Sequence, residues 1–398
     1  MSKVLLLSSR IESANTSVSL DVINAIIPNA TIHYVGRSID NQLVREISEN
    51  VYFYPVYSKQ LELSIPSKSS SICIRLLKRI CNSAYCRFVN LFVNRFRLSE
   101  ERAIYQKCCE LISKNEYNFI VSVSNPIYSH RVVLDLIKIK PELRTFWIPI
   151  WLDAYSNARK SNSHFKIKNC LYIEEYILSR ANVIYALHET FQGNNLYKKY
   201  SNIIKHIELP YFKNNVTKTG AIKIIYAGSF VKGLRDPEPV LDILKHSIPK
   251  IINKDIIFEF YVNTPEKYKS YEVVTNGRIR FNNYVSRTVL QSILSEAYML
   301  MNIGNKNSIQ MPSKVIEYIS YRKPILFFYS DLSDPSFRYY NSYPEVCFIC
   351  VNDLLDVNID KVVNYINSVH KEILYEELIR IKEFNQSTPE YLRTIIKF

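Results

Sequence analysis

Glycine is scarce in this chain, and the glycine-rich loops that cradle phosphates are missing. The 398 residues include only 7 glycines, so each glycine marks a place where the backbone must bend or come close to another group. The loop after the first predicted strand, "LLLSSRIESANTS", contains none, and no Walker loop occurs in the sequence. A dinucleotide fingerprint requires glycines in that first loop. These absences exclude a dinucleotide-dependent dehydrogenase and a P-loop ATPase.

Long apolar runs and disulfide spacings are also absent. No stretch approaches the ~18 apolar residues of a transmembrane helix, and "MSKVLLLSSR" is too short for a signal peptide. The eight cysteines have no framework spacing, and Cys347 and Cys350 form a lone CxxC within an apolar run. We therefore expect buried, reduced thiols. The predicted location is the cytoplasm, either in solution or peripherally at the inner face of the cytoplasmic membrane.

Acidic residues are absent from one long segment of a basic chain. The net charge of +14 favours an anionic partner, which can be nucleic acid, a phosphorylated small molecule or an anionic membrane. Between Glu62 and Ser99 there is no acidic residue, and Arg75, Lys78 and Arg79 alternate with bulky apolar residues. This pattern predicts a basic helical excursion over about residues 66–110 that lies on an anionic membrane surface. The alternative is a helix packed on the first domain. No nucleic-acid-binding fold or aromatic platform appears, so nucleic acid is not a predicted partner.

The alternation of short apolar runs with amphipathic stretches predicts an α/β fold. Strand candidates occur on both sides of a polar, proline-marked segment at residues 209–222, which is the predicted linker. The pattern predicts two doubly wound, Rossmann-like domains with a cleft between them. The predicted N-terminal domain covers residues 1–210 and the predicted C-terminal domain covers 211–357. Residues 358–398 are predicted to be helical.

The glycines and cations of the second domain lie where strands end. Ligands of open parallel sheets bind beyond the carboxyl ends of the strands. Gly228 follows the strand "IKIIYA", with Lys232 and Arg235 in the same loop, and Gly304 follows "YMLMNI". Lys314 begins a helix, where the backbone dipole disfavours a cation, so an anion nearby is expected. These residues predict a diphosphate site. The alternative for Lys314 is a solvated surface lysine.

Several motifs of the second domain resemble a known family in their order along the chain. "YAGS" (226–229), "KG" (232–233) and "RDP" (235–237) are followed by "NIG" (302–304), "PSKVIEY" (312–318) and "KP" (323–324). This series resembles the donor-binding half of bacterial family-4-type glycosyltransferases, over roughly residues 222–330. Those enzymes have the GT-B fold, in which two Rossmann-like domains face each other. The N-terminal half is similar only loosely, at "VSVSNPIYSH", "WIPIWLDAY" and "YIEEYILSRANVIYA".

The resemblance implies roles for single residues of the second domain. It places Lys232 or Arg235, together with Lys314, on the donor diphosphate, and Glu317 on the ribose hydroxyls. The alternative for Glu317 is an exposed acid near a helix start. Ile309 stands where the family has a first glutamate, so the sugar contact of that residue is absent or comes from the backbone of residues 307–310. The predicted donor-binding residues are Gly228, Ser229, Lys232, Arg235, Gly304, Ser313, Lys314 and Glu317.

Four residues are predicted to be catalytic. Arg235 and Lys314 would stabilise the leaving diphosphate without a metal, so no metal and no cofactor beyond the nucleotide-sugar substrate are expected. Asp153 follows the strand "WIPIWL", where the family commonly has a polar catalytic or sugar-contacting residue. His130 follows "VSVSNPIYS" at another strand end. Helix capping is the alternative for Asp153, and capping or packing for His130.

The function that the resemblance implies is sugar transfer. The donor would be a UDP- or GDP-linked sugar, and the acceptor a glycan or lipid-linked glycan in the synthesis of a bacterial surface polysaccharide, such as a capsule or O-antigen. Retention of the anomeric configuration is the family expectation. One alternative is a catalytically inactive GT-B-fold nucleotide-binding or partner subunit, which Ile309 favours. Another is a nucleic-acid-binding protein, which only the charge supports.

Overall fold

The chain divides into two compact units. The computed structural model describes residues 2–8, 14–38, 44–58, 80–81, 99–124, 126–158, 164–187, 190, 195–214, 216, 222–306 and 311–396. Unit 1 comprises Met1–Glu208 and Leu392–Phe398, and unit 2 comprises Leu209–Tyr391. Most of the basic stretch predicted to bind membranes, including Arg75, Lys78 and Arg79, lies outside the described residues.

Unit 1 is built on an eight-stranded sheet within its described residues. The sheet order is β3-β4-β2-β1-β5-β6-β7-β8, and every neighbouring pair is parallel except β3, which runs antiparallel to β4. Strand β3 was not predicted from the sequence. The strands are β1 Lys3–Leu7, β2 Thr31–Ser38, β3 Arg45–Ser48, β4 Val51–Tyr57, β5 Phe119–Ser124, β6 Trp147–Trp151, β7 Ile184–Leu187 and β8 Ile204–Ile207.

Helices cover this sheet, so its central strands are apolar along nearly their whole length. Strand β1, "KVLLL", is buried from its second residue onward. A 3-10 turn at Pro141–Phe146 precedes β6. The helices are α1 Ala14–Ile26, α2 Ser99–Lys114, α3 Tyr128–Ile139, α4 Tyr155–Ala158, α5 His164–Leu178 and α6 Asn195–Lys199.

Helix α2 contains the described end of the predicted basic excursion. Its Ile104, Cys108 and Leu111 recur at helical spacing and are buried in the core of unit 1. In its first turn Glu101 accepts a hydrogen bond from Nε of Arg131 at 3.0 Å. Residues 99–110 therefore pack on the domain. For this part of the excursion, the structure agrees with the alternative of a packed helix and not with a helix that lies on a membrane.

Unit 2 contains six parallel strands within its described residues, in the order β11-β10-β9-β12-β13-β14. The strands are β9 Lys223–Ala227, β10 Ile257–Tyr261, β11 Ile279–Asn282, β12 Met299–Ile303, β13 Ile325–Tyr329 and β14 Val346–Cys350. The helices are α7 Glu238–Ser247, α8 Lys269–Val274, α9 Arg287–Glu296, α10 Lys314–Ser320, α11 Phe337–Tyr340, α12 Leu355–Asn367, α13 Tyr375–Leu378 and α14 Lys382–Asn385. Helix α15, Pro389–Ile395, begins in unit 2 and ends in unit 1.

Each sheet has a point where the chain changes direction of winding. In unit 2 the chain runs from β9 outward to β10 and β11, and then returns to the other side of β9 to form β12, β13 and β14. In unit 1, β1 likewise lies between β2 and β5. The loops at the carboxyl ends of β9 and β12 therefore flank the position where doubly wound sheets bind their ligands.

The family resemblance implies that the helices over 358–398 pack partly on the N-terminal domain, and the structure divides these residues between the two units. Residues 358–391 belong to unit 2, and only Leu392–Phe398 belong to unit 1. The reason is helix α12, whose Val362 and Ile366 are buried in the core of unit 2. In unit 1, Nε of Arg393 donates to the carbonyl of Ala25 at 2.9 Å.

The described cysteines are free thiols with varied exposure. Cys108 and Cys170 are buried, whereas Cys81 is exposed and the others are intermediate, so burial was predicted correctly for only part of the set. Cys347 and Cys350 lie three residues apart on β14, which places them on opposite faces of the strand. Within the described ranges, every helix is too short or too polar to span a bilayer.

Candidate functional site

Three loops meet at the carboxyl edge of the unit 2 sheet. They follow β9 (residues 228–237), β12 (304–306) and β13 (330–336). The amide of Lys306 donates to the carbonyl of Leu234 at 2.8 Å, which joins the first two loops. The amide of Asn305 donates to Oδ2 of Asp334 at 2.5 Å, which joins the second and third. The loops that contain Gly228, Lys232, Arg235 and Gly304 are therefore connected by hydrogen bonds.

The loop after β9 contains a tight turn with a cation at its tip. The amide of Arg235 donates to the carbonyl of Val231 at 2.7 Å, and Gly233 has a positive φ of 75°. Lys232 is exposed beside that glycine. The carboxylate of Asp236 accepts the amide of Gly233 at 3.0 Å, which closes the turn.

Arg235 is partly buried in this loop. Its Nε atom is buried, and no described residue accepts a hydrogen bond from it. Burial raises the pKa of Tyr226 to about 12, and the charge of Arg235 and its hydrogen bond to Tyr226 act in the opposite direction. A planar guanidinium has further donors on its terminal nitrogens, which suit an anion that approaches the loop.

Asp334 is a buried acid that sequence analysis missed. It is 2% exposed, and its Oδ1 accepts the amide of Ser336 at 2.7 Å. Burial raises the pKa of its carboxyl, while hydrogen bonds from Ser336 and Asn305 and the charge of Arg235 oppose the increase. A Cβ atom on Gly304 would lie 2.5 Å from Oδ2 of Asp334. A side chain at position 304 would therefore clash with the carboxylate of Asp334, so glycine is needed there. In the sequence, the only indication of Asp334 is its position four residues after the strand-like run "PILFFYS".

Gly228 and Ser229 are both in contact with tyrosines. A Cβ atom on Gly228 would lie 3.0 Å from the hydroxyl of Tyr226, which is tight packing. Oγ of Ser229 lies 2.5 Å from the hydroxyl of Tyr284, an exposed residue in the loop after β11.

Lys314 and Glu317 form an ion pair with each other. Nζ of Lys314 lies 2.6 Å from Oε2 of Glu317, and the two side chains are 28% and 26% exposed. Ser313, the residue before α10, makes no side-chain capping bond. Pairs at this helical spacing contribute only about 0.2–0.5 kcal/mol, so a diphosphate can replace Glu317 as the partner of Lys314. Binding of different parts of a nucleotide by the two residues stays a prediction.

His130 lies in the core of unit 1. Oγ of Ser122 accepts from Nε1 of Trp147 at 2.8 Å and lies 2.7 Å from Nδ1 of His130. Burial lowers the pKa of His130 to about 3, so the ring is neutral. His130 was predicted from the sequence to be catalytic. Its side chain is completely buried, so it cannot contact a substrate in this conformation.

Asp153 occupies a loop whose backbone is held at several points. Its carbonyl accepts from Oγ of Ser124 at 3.1 Å, and Oγ1 of Thr190 donates to the carbonyl of Leu152 at 2.9 Å. Just beyond, Oε1 of the buried Glu174 accepts the amide of Ser156 at 3.1 Å. Asp153 itself is partly exposed at the carboxyl end of β6. The structure therefore holds this carboxylate at the sheet edge where the sequence predicted it.

Comparison with known proteins gives similar structures but no similar sequences. No family model and no curated protein matches the chain. Sucrose-phosphate synthase from Thermosynechococcus elongatus superposes with a TM-score of 0.52 at 12% identity, covering 100% of this chain and 95% of that one. A glycosyltransferase from Rickettsia africae gives 0.52 at 12% identity, with 99% and 93% covered. The catalytic domain of starch synthase IV from Arabidopsis thaliana, bound to ADP and acarbose, gives 0.52 at 9%, with 99% and 95% covered.

These similarities extend over almost the whole of both chains. The chain has the GT-B fold. The prediction of two Rossmann-like doubly wound domains is confirmed by the two sheets and by these similar structures. In this GT-B chain, all the candidate donor-binding residues lie in unit 2, and Asp153 and His130 lie in unit 1.

Proposed function

We propose that this chain is a glycosyltransferase that moves a sugar from a UDP- or GDP-linked donor to a glycan or lipid-linked acceptor. The observation that carries the proposal is the arrangement around the carboxyl end of β9. The loop that follows this strand contains the partly buried Arg235, whose Nε atom has no hydrogen-bond partner among the described residues. Helix α10, which begins with Lys314, is hydrogen-bonded to Ala227, the last residue of the strand, through Tyr318. Two cations at this position suit a nucleoside diphosphate.

The reaction needs charge stabilisation on the departing diphosphate. We propose that Arg235 and Lys314 supply it, that Lys232 adds a longer-range charge, and that Glu317 accepts from the ribose. Transfer would be retaining and independent of metal. The ADP bound to starch synthase IV, a chain of the same fold, supports a nucleotide ligand. Asp153 would act on the acceptor or the transferred sugar, and synthesis of a bacterial surface polysaccharide is the proposed context.

Nucleotide binding followed by turnover tests the proposal. UDP and GDP are titrated into the protein by calorimetry, and labelled nucleotide-sugars are then assayed with and without EDTA. We expect saturable binding of one nucleotide, turnover of a cognate sugar and no effect of EDTA. Arg235→Ala should weaken binding about tenfold or more, whereas Lys371→Ala, an exposed cation beyond the amino end of β14, should not. Binding without turnover would favour an inactive GT-B subunit, and binding of oligonucleotides alone would contradict the proposal.

Glu317→Gln should affect substrate binding more than the chemical step. The amide keeps the size of the side chain but loses the anionic acceptor for the ribose, a contact present equally before and during the reaction. We therefore expect KM to rise more than kcat falls. A 2′-deoxyribose donor should be penalised in the parent protein and much less in the variant. Because the substitution also frees Lys314 from its ion pair, affinity for inorganic pyrophosphate should be unchanged or higher.

Equal penalties for the deoxy donor in both proteins would show that Glu317 does not contact the ribose. Loss of pyrophosphate affinity in the variant would show instead that Glu317 holds Lys314 in place for the diphosphate. The deoxy donor therefore tests whether Glu317 binds the ribose, and pyrophosphate tests whether it positions Lys314.

Membrane association through the basic stretch is a further part of the proposal. Replacing Arg75, Lys78 and Arg79 together with glutamate should abolish co-sedimentation with anionic liposomes, because each basic residue near an anionic surface contributes about 1 kcal/mol. Neutral phosphatidylcholine liposomes are the control. Sedimentation that persists in the variant, or is absent in the parent, would contradict this prediction.

A further inference from the structure

Strand β9 separates from β12 before it ends. Its pairing with β12 covers Ile224 and Ile225, opposite Met299 and Leu300. On its other side, β9 stays paired with β10 as far as Ala227, opposite Tyr261. The two strands that flank the change of winding direction thus diverge at their carboxyl ends. This divergence leaves backbone groups of β9 without a partner strand.

One side chain fills the place of the missing strand. The hydroxyl of Tyr318 accepts the amide of Ala227 at 2.8 Å and donates to the carbonyl of the same residue at 3.2 Å. Tyr318 is 0% exposed, and burial raises the pKa of its hydroxyl well above the usual value, so the group stays neutral and can both donate and accept. Buried backbone groups need such partners.

These two hydrogen bonds connect both parts of the proposed donor site. Ala227 immediately precedes Gly228, where the loop to Arg235 begins. Tyr318 follows Glu317 in α10 and lies one helical turn after Lys314, on the same side of the helix. The hydroxyl group of Tyr318 therefore links the helix directly to the end of β9.

We infer that Tyr318 is a positioning residue for the nucleotide-sugar donor, acting through the helix that presents Lys314 and Glu317. The inference rests on the proposed function. Without the hydroxyl, α10 loses its hydrogen bonds to β9, and the position of Lys314 relative to the loop of Arg235 becomes less constrained. Contacts to a rigid diphosphate depend on such separations, and small displacements reduce them strongly.

The test compares two variants, in each of which a buried tyrosine loses its hydroxyl group. Tyr318→Phe removes the hydroxyl beside Ala227. Tyr343→Phe removes a buried hydroxyl that donates to the carbonyl of Lys323 at 2.9 Å, just before β13 and away from the candidate site. We expect both variants to melt at lower temperature, but only Tyr318→Phe to raise the Kd for UDP or GDP, by roughly tenfold. Hydrogen exchange at Ala227 should also accelerate only in Tyr318→Phe.

The outcomes separate this inference from the proposed function. If the parent binds a nucleoside diphosphate and Tyr318→Phe binds it equally well, the positioning role is wrong and the proposed function stands. Equal losses of affinity in both variants would also overturn it, because they would report general destabilisation. If the parent binds no nucleoside diphosphate, the proposed function fails and the inference fails with it.

A second substitution covers the case in which Tyr318→Phe does not fold. Tyr318→4-aminophenylalanine keeps a donor for the carbonyl of Ala227 but accepts poorly from its amide. We expect a folded protein with nucleotide affinity between those of the parent and a variant lacking the group. Parent-like affinity together with fast exchange at Ala227 would overturn the inference.

Discussion

Lys314→Ala is expected to reduce kcat/KM by about 10- to 100-fold. A charge-assisted contact of this kind contributes about 1.5–3 kcal/mol, and each 1.4 kcal/mol corresponds to a factor of ten. Negative charge builds up on the diphosphate as the sugar leaves, so the contact should be stronger in the transition state than in the bound substrate. We therefore expect kcat to fall as well as KM to rise. Initial rates over a range of donor concentrations provide both values.

The ion pair with Glu317 provides the control for this prediction. Lys314→Ala leaves Glu317 without its partner at the site, and an unpaired carboxylate would itself repel a diphosphate. The double variant Lys314→Ala, Glu317→Gln removes that repulsion, so it should recover part of the lost diphosphate affinity. Full recovery would show that Lys314 serves only to neutralise Glu317. Unchanged kcat/KM in the single variant would place the diphosphate elsewhere.

Asp153→Asn is expected to lower kcat by more than about tenfold and to leave nucleotide affinity nearly unchanged. General acid–base groups contribute about 10²–10⁴-fold to rate, and the substitution retains the size of the side chain while removing its charge. The nucleotide should still bind, because its predicted contacts all lie in unit 2. Single-turnover rates together with calorimetric titration of the nucleoside diphosphate measure the two quantities.

A structural role for Asp153 would give a different result. The carbonyl of Asp153 is held by Ser124, and the segment that follows is held by Glu174, so the backbone should keep its shape in the variant. Asp242→Asn, on an exposed turn of α7, is the control for the chemical change alone. A lower melting temperature with normal turnover would identify Asp153 as a residue that only stabilises its loop.

The sequence by itself determined the class of fold and most of the strands. Buried parallel strands are short apolar runs, and the runs "KVLLL", "KIIYA" and "MLMNI" form β1, β9 and β12. The short antiparallel strand β3, "REIS", escaped prediction because its four residues have no apolar run and it depends on pairing with β4. The resemblance also identified the glycine loop after β9 and the helix of Lys314.

Only the tertiary structure decided what each of these residues contacts. Gly304 was predicted to lie beside the donor. In the structure, the absence of a Cβ atom at Gly304 leaves room for Asp334, which lies 30 residues later in the chain and was not predicted. His130 follows a strand end, yet it packs against Ser122 and Trp151 inside unit 1. In the sequence, Tyr318 was noted only as part of the motif "PSKVIEY". In the structure, β9 and β12 diverge, and the hydroxyl of Tyr318 bonds to two backbone groups of β9. Periodicity reports which faces are buried, whereas hydrogen-bond partners depend on how distant strands and loops meet in space.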